Sequence, residues 1–204
     1  MIMTRRSAFV RSLPEQSYRK LFVISTEGRV TERAYFLMVR RLYIDSNCVL
    51  KFSRTSSSDC SNPHEVLESV KRWIKDNGPL KEHDEAWLVV DKDAWSEEQL
   101  DELRGWVSKA ARGRFKRDLA LSDPKFEYWL LLHFENTGVR NSRECTDKLK
   151  RHLPYYEKDL NDHNLTHENI EQAISTARQR DGRGSGASTT VYKLVESILS
   201  CSEP

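Results

Sequence analysis

Apolar and polar positions alternate along the chain in blocks that read as strands and helices in turn. Leu21-Phe22-Val23-Ile24 is a short apolar run that ends in Ser25-Thr26-Glu27-Gly28, the pattern of a buried strand entering a turn. Tyr35, Met38, Val39 and Leu42 follow at i, i+3, i+4 and i+7, which predicts a helix with one apolar face. A second strand fits Cys48–Phe52, and the serine-rich stretch 53–61 reads as a loop. Asn62-Pro63 starts a helix whose buried stripe is Val66, Leu67, Val70 and Ile74, and Asn77-Gly78-Pro79 ends it. Ala86-Trp87-Leu88-Val89-Val90 is the strongest strand, and it runs into Asp91-Lys92-Asp93. Ser96 and Gln99 predict a capping box for the next helix. A fourth strand fits Leu119–Leu121, and a helix over Phe126–Phe134 follows Ser122-Asp123-Pro124.

Strand runs this apolar are buried on both faces, so alternation with helices up to about residue 135 predicts a parallel, Rossmann-like α/β sheet flanked by helices. Beyond it the chain reads as helical only, over 143–152, 167–179 and 190–199. The expected organisation is a basic N-terminal arm (1–19), an α/β core (20–135) and a helical C-terminal extension (136–204).

Composition narrows the function little. Hydrophobic residues make up 38% and charged residues 31%, enough for a core and unlike a disordered chain. The 33 basic and 31 acidic residues leave a net charge of +2, so any nucleic-acid interface depends on local clustering, as at Arg112, Arg114, Lys116 and Arg117. A charge run of this kind is more often a solvated face. No apolar run approaches the ~20 residues of a membrane span. Cys48, Cys60, Cys145 and Cys201 form no CxxC pair, and reduced thiols in the cytoplasm are the expectation. No GxxxxGK[ST] occurs, which argues against a P-loop nucleotide cycle.

The candidate chemistry is acidic. Ligands of open α/β sheets bind outside the carboxyl ends of the strands. Glu27 follows the first strand and Asp91 and Asp93 follow the third, and right-handed crossovers bring these ends to one rim. Magnesium prefers carboxylate oxygens and keeps several waters. A Glu from one loop and an Asp-x-Asp pair from another can supply such a site, whereas either motif alone is an ordinary solvated turn.

Three blocks carry a family resemblance. Glu27-Gly28, Thr31-Glu32 and Tyr35-Phe36 resemble the EG-x-x-TE-x-x-YF signature of the RloB family. Leu88-Val89-Val90-Asp91-Lys92-Asp93 resembles its DxD strand, and residues 122–134 resemble its S-N-P-x-FE-x-W-x-LLH-F block, with Asp123 where Asn is more usual. The resemblance covers about 20–135 and, more weakly, 188–195.

This family is grouped with the Toprim superfamily of topoisomerase, primase and nuclease domains, and its genes are associated with prokaryotic phage defence, often beside an ATPase gene. The resemblance thus implies a Toprim-like fold and a magnesium-dependent endonuclease (manganese substituting) acting on DNA or RNA, transfer RNA included. It also implies an ATPase partner. Asp91 and Asp93 would be metal ligands, and Glu27 a ligand or general acid/base. Glu32 is an extra ligand or a complement to the helix dipole, and Glu127 has the same two readings. Ser122 contacts phosphate or caps a helix, and Lys92 meets phosphate or points away. His133 reads as a core histidine. The rival reading is a non-catalytic metal-nucleotide-binding or regulatory subunit of a defence ATPase.

Overall fold

The computed structural model describes residues 18–28, 30–43, 48–53, 63–93, 95–109, 115–156, 160, 165–184 and 186–202. The first half alternates as its pattern predicts: β1 (Lys20–Thr26), α1 (Thr31–Tyr43), β2 (Cys48–Phe52), α2 (Pro63–Asn77), β3 (Glu85–Asp91), α3 (Glu97–Ser108) and β4 (Lys116–Asp123). Then come α4 (Phe126–Leu131), α5 (Ser142–His152), α6 (His167–Asp181), β5 (Ser188–Thr189), α7 (Val191–Leu199) and a final 3-10 turn. The five strands lie in the order β2-β1-β3-β4-β5, parallel except for β5.

Strand periodicity divides the core in two. Phe22, Ile24, Trp87, Val89 and Ala120 point to one face, where α1 and α4 to α7 cover them. Val23, Ala86, Leu88 and Val90 point to the other, against α2 and α3. The connection from β1 through α1 runs one way along the sheet, and those through α2 and α3 run the other way. With right-handed crossovers this reversal puts α1 opposite α2 and α3, and leaves a switch point at the carboxyl ends of β1 and β3.

Local signals held at the helix ends. Ser96 and Gln99 form the capping box of α3, and Gly78, with φ at +92°, ends α2. In α1, Tyr35, Met38 and Val39 are buried as expected, but Phe36 joins them while Leu42 is 36% exposed. The face turned toward α4 and the sheet is therefore rotated from the predicted stripe.

The C-terminal third differs from the expected helical extension. It adds a strand, β5, whose pairing with β4 is too short to leave a period-2 pattern. Val191, Leu194, Val195 and Ile198 of α7 are fully buried in the same apolar cluster as β1 and α1. Residues 136–202 thus complete one face of the core. Among the described residues no helix is long and apolar enough to cross a membrane.

His133 is the core histidine expected. Its Nδ1 lies 2.9 Å from the Trp129 carbonyl and its Nε2 3.0 Å from the Tyr35 hydroxyl. Burial pushes its pKa down to about 4. The folded pKa therefore lies below the unfolded one, and this histidine contributes stability above pH ~6.5 that is lost as pH falls toward 4. The loss reaches about 3 kcal/mol. Denaturant titrations from pH 7 to 4 should show a shallower pH slope in His133→Gln than in the wild type, and equal slopes would count against this coupling.

Candidate active site: a carboxylate cleft at the switch point

Glu27 leaves β1 and Asp91 ends β3, so both stand at the topological switch point. Register places them together: Thr26 pairs with Val89, and the Glu27 amide donates to the Val89 carbonyl at 3.1 Å. The Asp91 amide in turn donates to Glu27 Oε2 at 3.3 Å, and Trp95 Nε1 donates to the same oxygen at 3.1 Å. Burial raises the Glu27 pKa, and the nearby charge of Asp93 adds to this, while the two donors oppose it.

Glu32, in the first turn of α1, is 7% exposed and folds back to accept the Gly28 amide at 3.0 Å. This contact explains the glycine. A Cβ at residue 28 would stand 2.2 Å from Glu32 Oε2, so any side chain there displaces the carboxylate. Burial pushes the Glu32 pKa up to about 7, helped by the charges of Glu127 and Glu27.

Asp91 lies deepest. Its Oδ1 accepts the Phe126 amide at 2.8 Å, which ties β3 to the start of α4. Burial holds its pKa well above the ordinary aspartate value, and Glu32, Glu27 and Glu127 raise it further. Glu127 completes the set. Its Oε1 accepts the Tyr156 hydroxyl at 3.0 Å, and Lys125 Nζ stands 3.8 Å from Oε2. Glu32, Asp91 and Glu127 line a cleft of about 250 Å³ together with Gly28, Thr31 and Phe126.

The other candidates are placed differently. Asp93 is exposed, and its carboxylate accepts the Ser142 hydroxyl at the start of α5. The two aspartates of the DxD therefore diverge: Asp91 lines the cleft and Asp93 stands at its mouth. Ser122 is 1% exposed and bonds Thr189 Oγ1 at 2.9 Å, which joins β4 to β5. It neither caps α4, whose N-cap is Lys125, nor faces the cleft. Lys92 points away to Asp123, 3.0 Å from Oδ2.

The basic cluster is also drawn off. Lys116 and Arg117 pair with Glu85 and Ala86 at the amino end of β3, whereas Asp91 pairs with Ser122 at the other end. Six residue steps along β3 separate Glu85 from Asp91, about 20 Å. Lys116 Nζ sits 3.5 Å from Glu85 Oε2, and the Arg117 guanidinium lies 5.0 Å from the Trp106 ring and 4.9 Å from the Phe115 ring. Arg112 and Arg114 lie outside the described residues.

Glu32, Asp91 and Glu127 in the cleft, with Glu27 held by the Asp91 amide, suit a hard divalent cation. Among the described residues no three His, Cys, Asp or Glu side chains stand as a preassembled ligand group. Glu27, Glu32 and Asp91 each accept a backbone N–H. The donor chemistry fits a cation, which the carboxylate oxygens and lone pairs not taken by these amides can meet.

A family model described as RloB-like protein matches residues 22–198. The chain belongs to the RloB-like protein family. The RloB-like match runs from β1 into α7 and so includes the C-terminal third that completes the core. No curated protein and no solved structure matches the chain. Glu127 was the member of the cleft least legible beforehand. A first-turn Glu on α4 serves the helix dipole equally well, and only the turn carrying Tyr156 aims it inward.

Because the folded pKa of Glu32 is raised, its ionisation costs stability as pH rises from about 4.5 to about 7. In chelator at pH 8, Glu32→Gln should stabilise the protein by about 1–3 kcal/mol, a few degrees in Tm. Asp93→Asn, at the exposed mouth, should leave Tm unchanged. Thermal unfolding of the three proteins checks this, and no gain in Glu32→Gln would count against a strained carboxylate cluster.

Proposed function

We propose that this RloB-like protein is a divalent-metal-dependent phosphodiesterase of the Toprim type that cleaves nucleic acid, acting in prokaryotic antiviral defence. The observation that supports it most is Asp91: a half-buried carboxylate at the switch point, raised in pKa by loss of water and then by three neighbouring acids, and paired with no basic side chain among the described residues. A cation supplied from solution would relieve that repulsion. Magnesium is the expected ion, with manganese as a substitute, and when bound it would polarise the phosphate and lower the pKa of a water.

In this reading Asp91, Glu32 and Glu127 hold the ion. Asp91 would keep its position on β3 through the strand itself. Glu27, fixed by Trp95 and the Asp91 amide, takes a proton from the attacking water. The water oxygen bonds to phosphorus, the bond to the leaving oxygen breaks, and that oxygen takes up a proton. Asp93 orients the water or joins the ligand set after releasing Ser142. Trp95, absent from the expectation based on sequence, positions Glu27.

The rival regulatory reading expects metal or nucleotide binding without turnover. An ATPase partner docking on α7 would meet Lys193, Glu196, Ser197 and Leu199, because residues 191, 192, 194, 195 and 198 are buried.

Purified protein should cleave at least one of single-stranded DNA, double-stranded DNA, RNA or transfer RNA with magnesium or manganese and none with chelator. Asp91→Asn and Glu27→Gln should each lose at least ~100-fold of that rate. Magnesium at about 100 times its Kd should stabilise the wild type by about 2.7 kcal/mol and Asp91→Asn by much less. Full cleavage by both variants would refute the assignment. Magnesium-dependent stabilisation without cleavage of any substrate would favour the regulatory reading.

A further inference from the structure

Many basic side chains of the fold already have acidic partners. Lys20 and Lys116 neutralise Glu85, Lys92 meets Asp123, Arg104 meets Glu97 and Asp101, and Arg178 meets Glu196. Helix α5 departs from this pattern. Residues 140–152 contain five basic and two acidic side chains. Arg140 and Lys148 converge on Glu144, at 2.8 and 3.3 Å, and Arg140 leads the contacts that pull the Glu144 pKa down to about 2. Arg143 and Arg151 are exposed, and among the described residues neither makes an ion pair. The acidic Asp147 lies between them and is paired with neither.

These side chains line one groove of about 320 Å³, with Arg140, Glu144 and Lys148 on its wall. Arg143 and Arg151 are eight residues apart on the helix, about 12 Å. Phosphates on one strand of a duplex recur about every 3.4 Å along the helix axis, so the two guanidinium groups can reach separate phosphates of one strand. Guanidinium groups also match phosphate geometry with paired donors.

Placement relative to the cleft gives the groove its meaning. The Ser142 hydroxyl at the start of α5 donates to Asp93 at the mouth of the cleft. Beyond the other end of α5, the Tyr156 hydroxyl donates to Glu127 at 3.0 Å. The buried Cys145 and Leu149 hold the helix on the core between these contacts. Both ends of α5 are thus tied to the acidic cluster, so a polyanion held along its exposed face lies nearer the carboxylates than one bound by Lys116 and Arg117 at the far end of the sheet.

We infer that the groove on α5 grips the phosphodiester backbone of a nucleic-acid strand beside the carboxylate cleft, with Arg143 and Arg151 as its principal contacts. The inference rests on the phosphodiesterase reading and names where that site holds its substrate. Arg140 and Lys148 supply a weaker positive background because Glu144 already occupies them.

The test is fluorescence anisotropy of labelled single-stranded DNA, double-stranded DNA and RNA, in chelator so that no cleavage occurs, across a salt series. The wild type should bind at least one of these polymers, and the tightest identifies the source of the backbone. The R143Q/R151Q protein should bind it at least ~10-fold more weakly, with a log–log salt slope smaller by about two. Its Tm should equal that of the wild type, because both side chains are exposed. K71Q/K75Q, on α2 across the sheet, should bind as the wild type does. Unchanged affinity and slope in R143Q/R151Q would overturn the inference. So would an equal loss in K71Q/K75Q, displacement by poly-glutamate as effective as by nucleic acid, or no binding by the wild type. Cleavage is scored separately. Unchanged binding by R143Q/R151Q, with cleavage abolished by Asp91→Asn, refutes the groove alone. Groove-dependent binding without metal-dependent cleavage supports the groove and refutes the catalytic reading.

Discussion

A carboxylate withdrawn from water must gain a cation, gain hydrogen-bond donors or take up a proton, and the central strand β3 meets this demand differently at its two ends. At the amino end Glu85 is 4% exposed. Burial would raise its pKa, but Lys20 at 2.6 Å, Ser197, Trp87 and Lys116 outweigh it and leave the pKa below the ordinary value. At the carboxyl end Asp91 receives one amide and faces three more carboxylates. The same strand thus holds a neutralised structural acid and an electrostatically unbalanced one. The second arrangement costs stability, and titratable groups held at such a cost cluster at functional sites.

The sheet topology decides where that imbalance falls. The reversal of direction between β1 and β3 leaves a crevice at their carboxyl ends that no crossover helix covers. Glu27 and Glu32 enter it from the turn and helix after β1, and Glu127 enters from α4. Three of the acids are anchored by backbone amides: Glu27 by that of Asp91, Asp91 by that of Phe126 and Glu32 by that of Gly28. The cluster is therefore held by the strand ends themselves, and the C-terminal segment closes it through Tyr156 on Glu127 and Ser142 on Asp93.

Residues that bear the same charge in the sequence have separate roles here. Asp91 and Asp93 are two positions apart, yet one lines the cleft and the other meets α5 in solvent. Lys116 and Arg117 read as a nucleic-acid patch or a solvated face because their partners Glu85 and Trp106 come from other elements. Ser122 read as a phosphate contact or cap because its partner Thr189 lies 67 residues along the chain. The proximity of α5 to Asp93 is likewise a tertiary fact, fixed by the Ser142 hydroxyl.

Periodicity and turn chemistry alone determined β1 to β4, the helices between them, the parallel arrangement and the rim on which Glu27 and Asp91 meet. These follow from local spacing, from apolar runs long enough to be buried on both faces, and from the handedness of crossovers. Glu27, Asp91, Glu32 and Glu127 were all nameable as acids at helix starts or strand ends. Tertiary structure alone decided that Asp93 turns outward, that Trp95 holds Glu27, and that β5 and α7 belong to the core. These outcomes depend on contacts between residues far apart in the chain, and a two-residue strand or a first-turn glutamate has no local pattern that reports its partner.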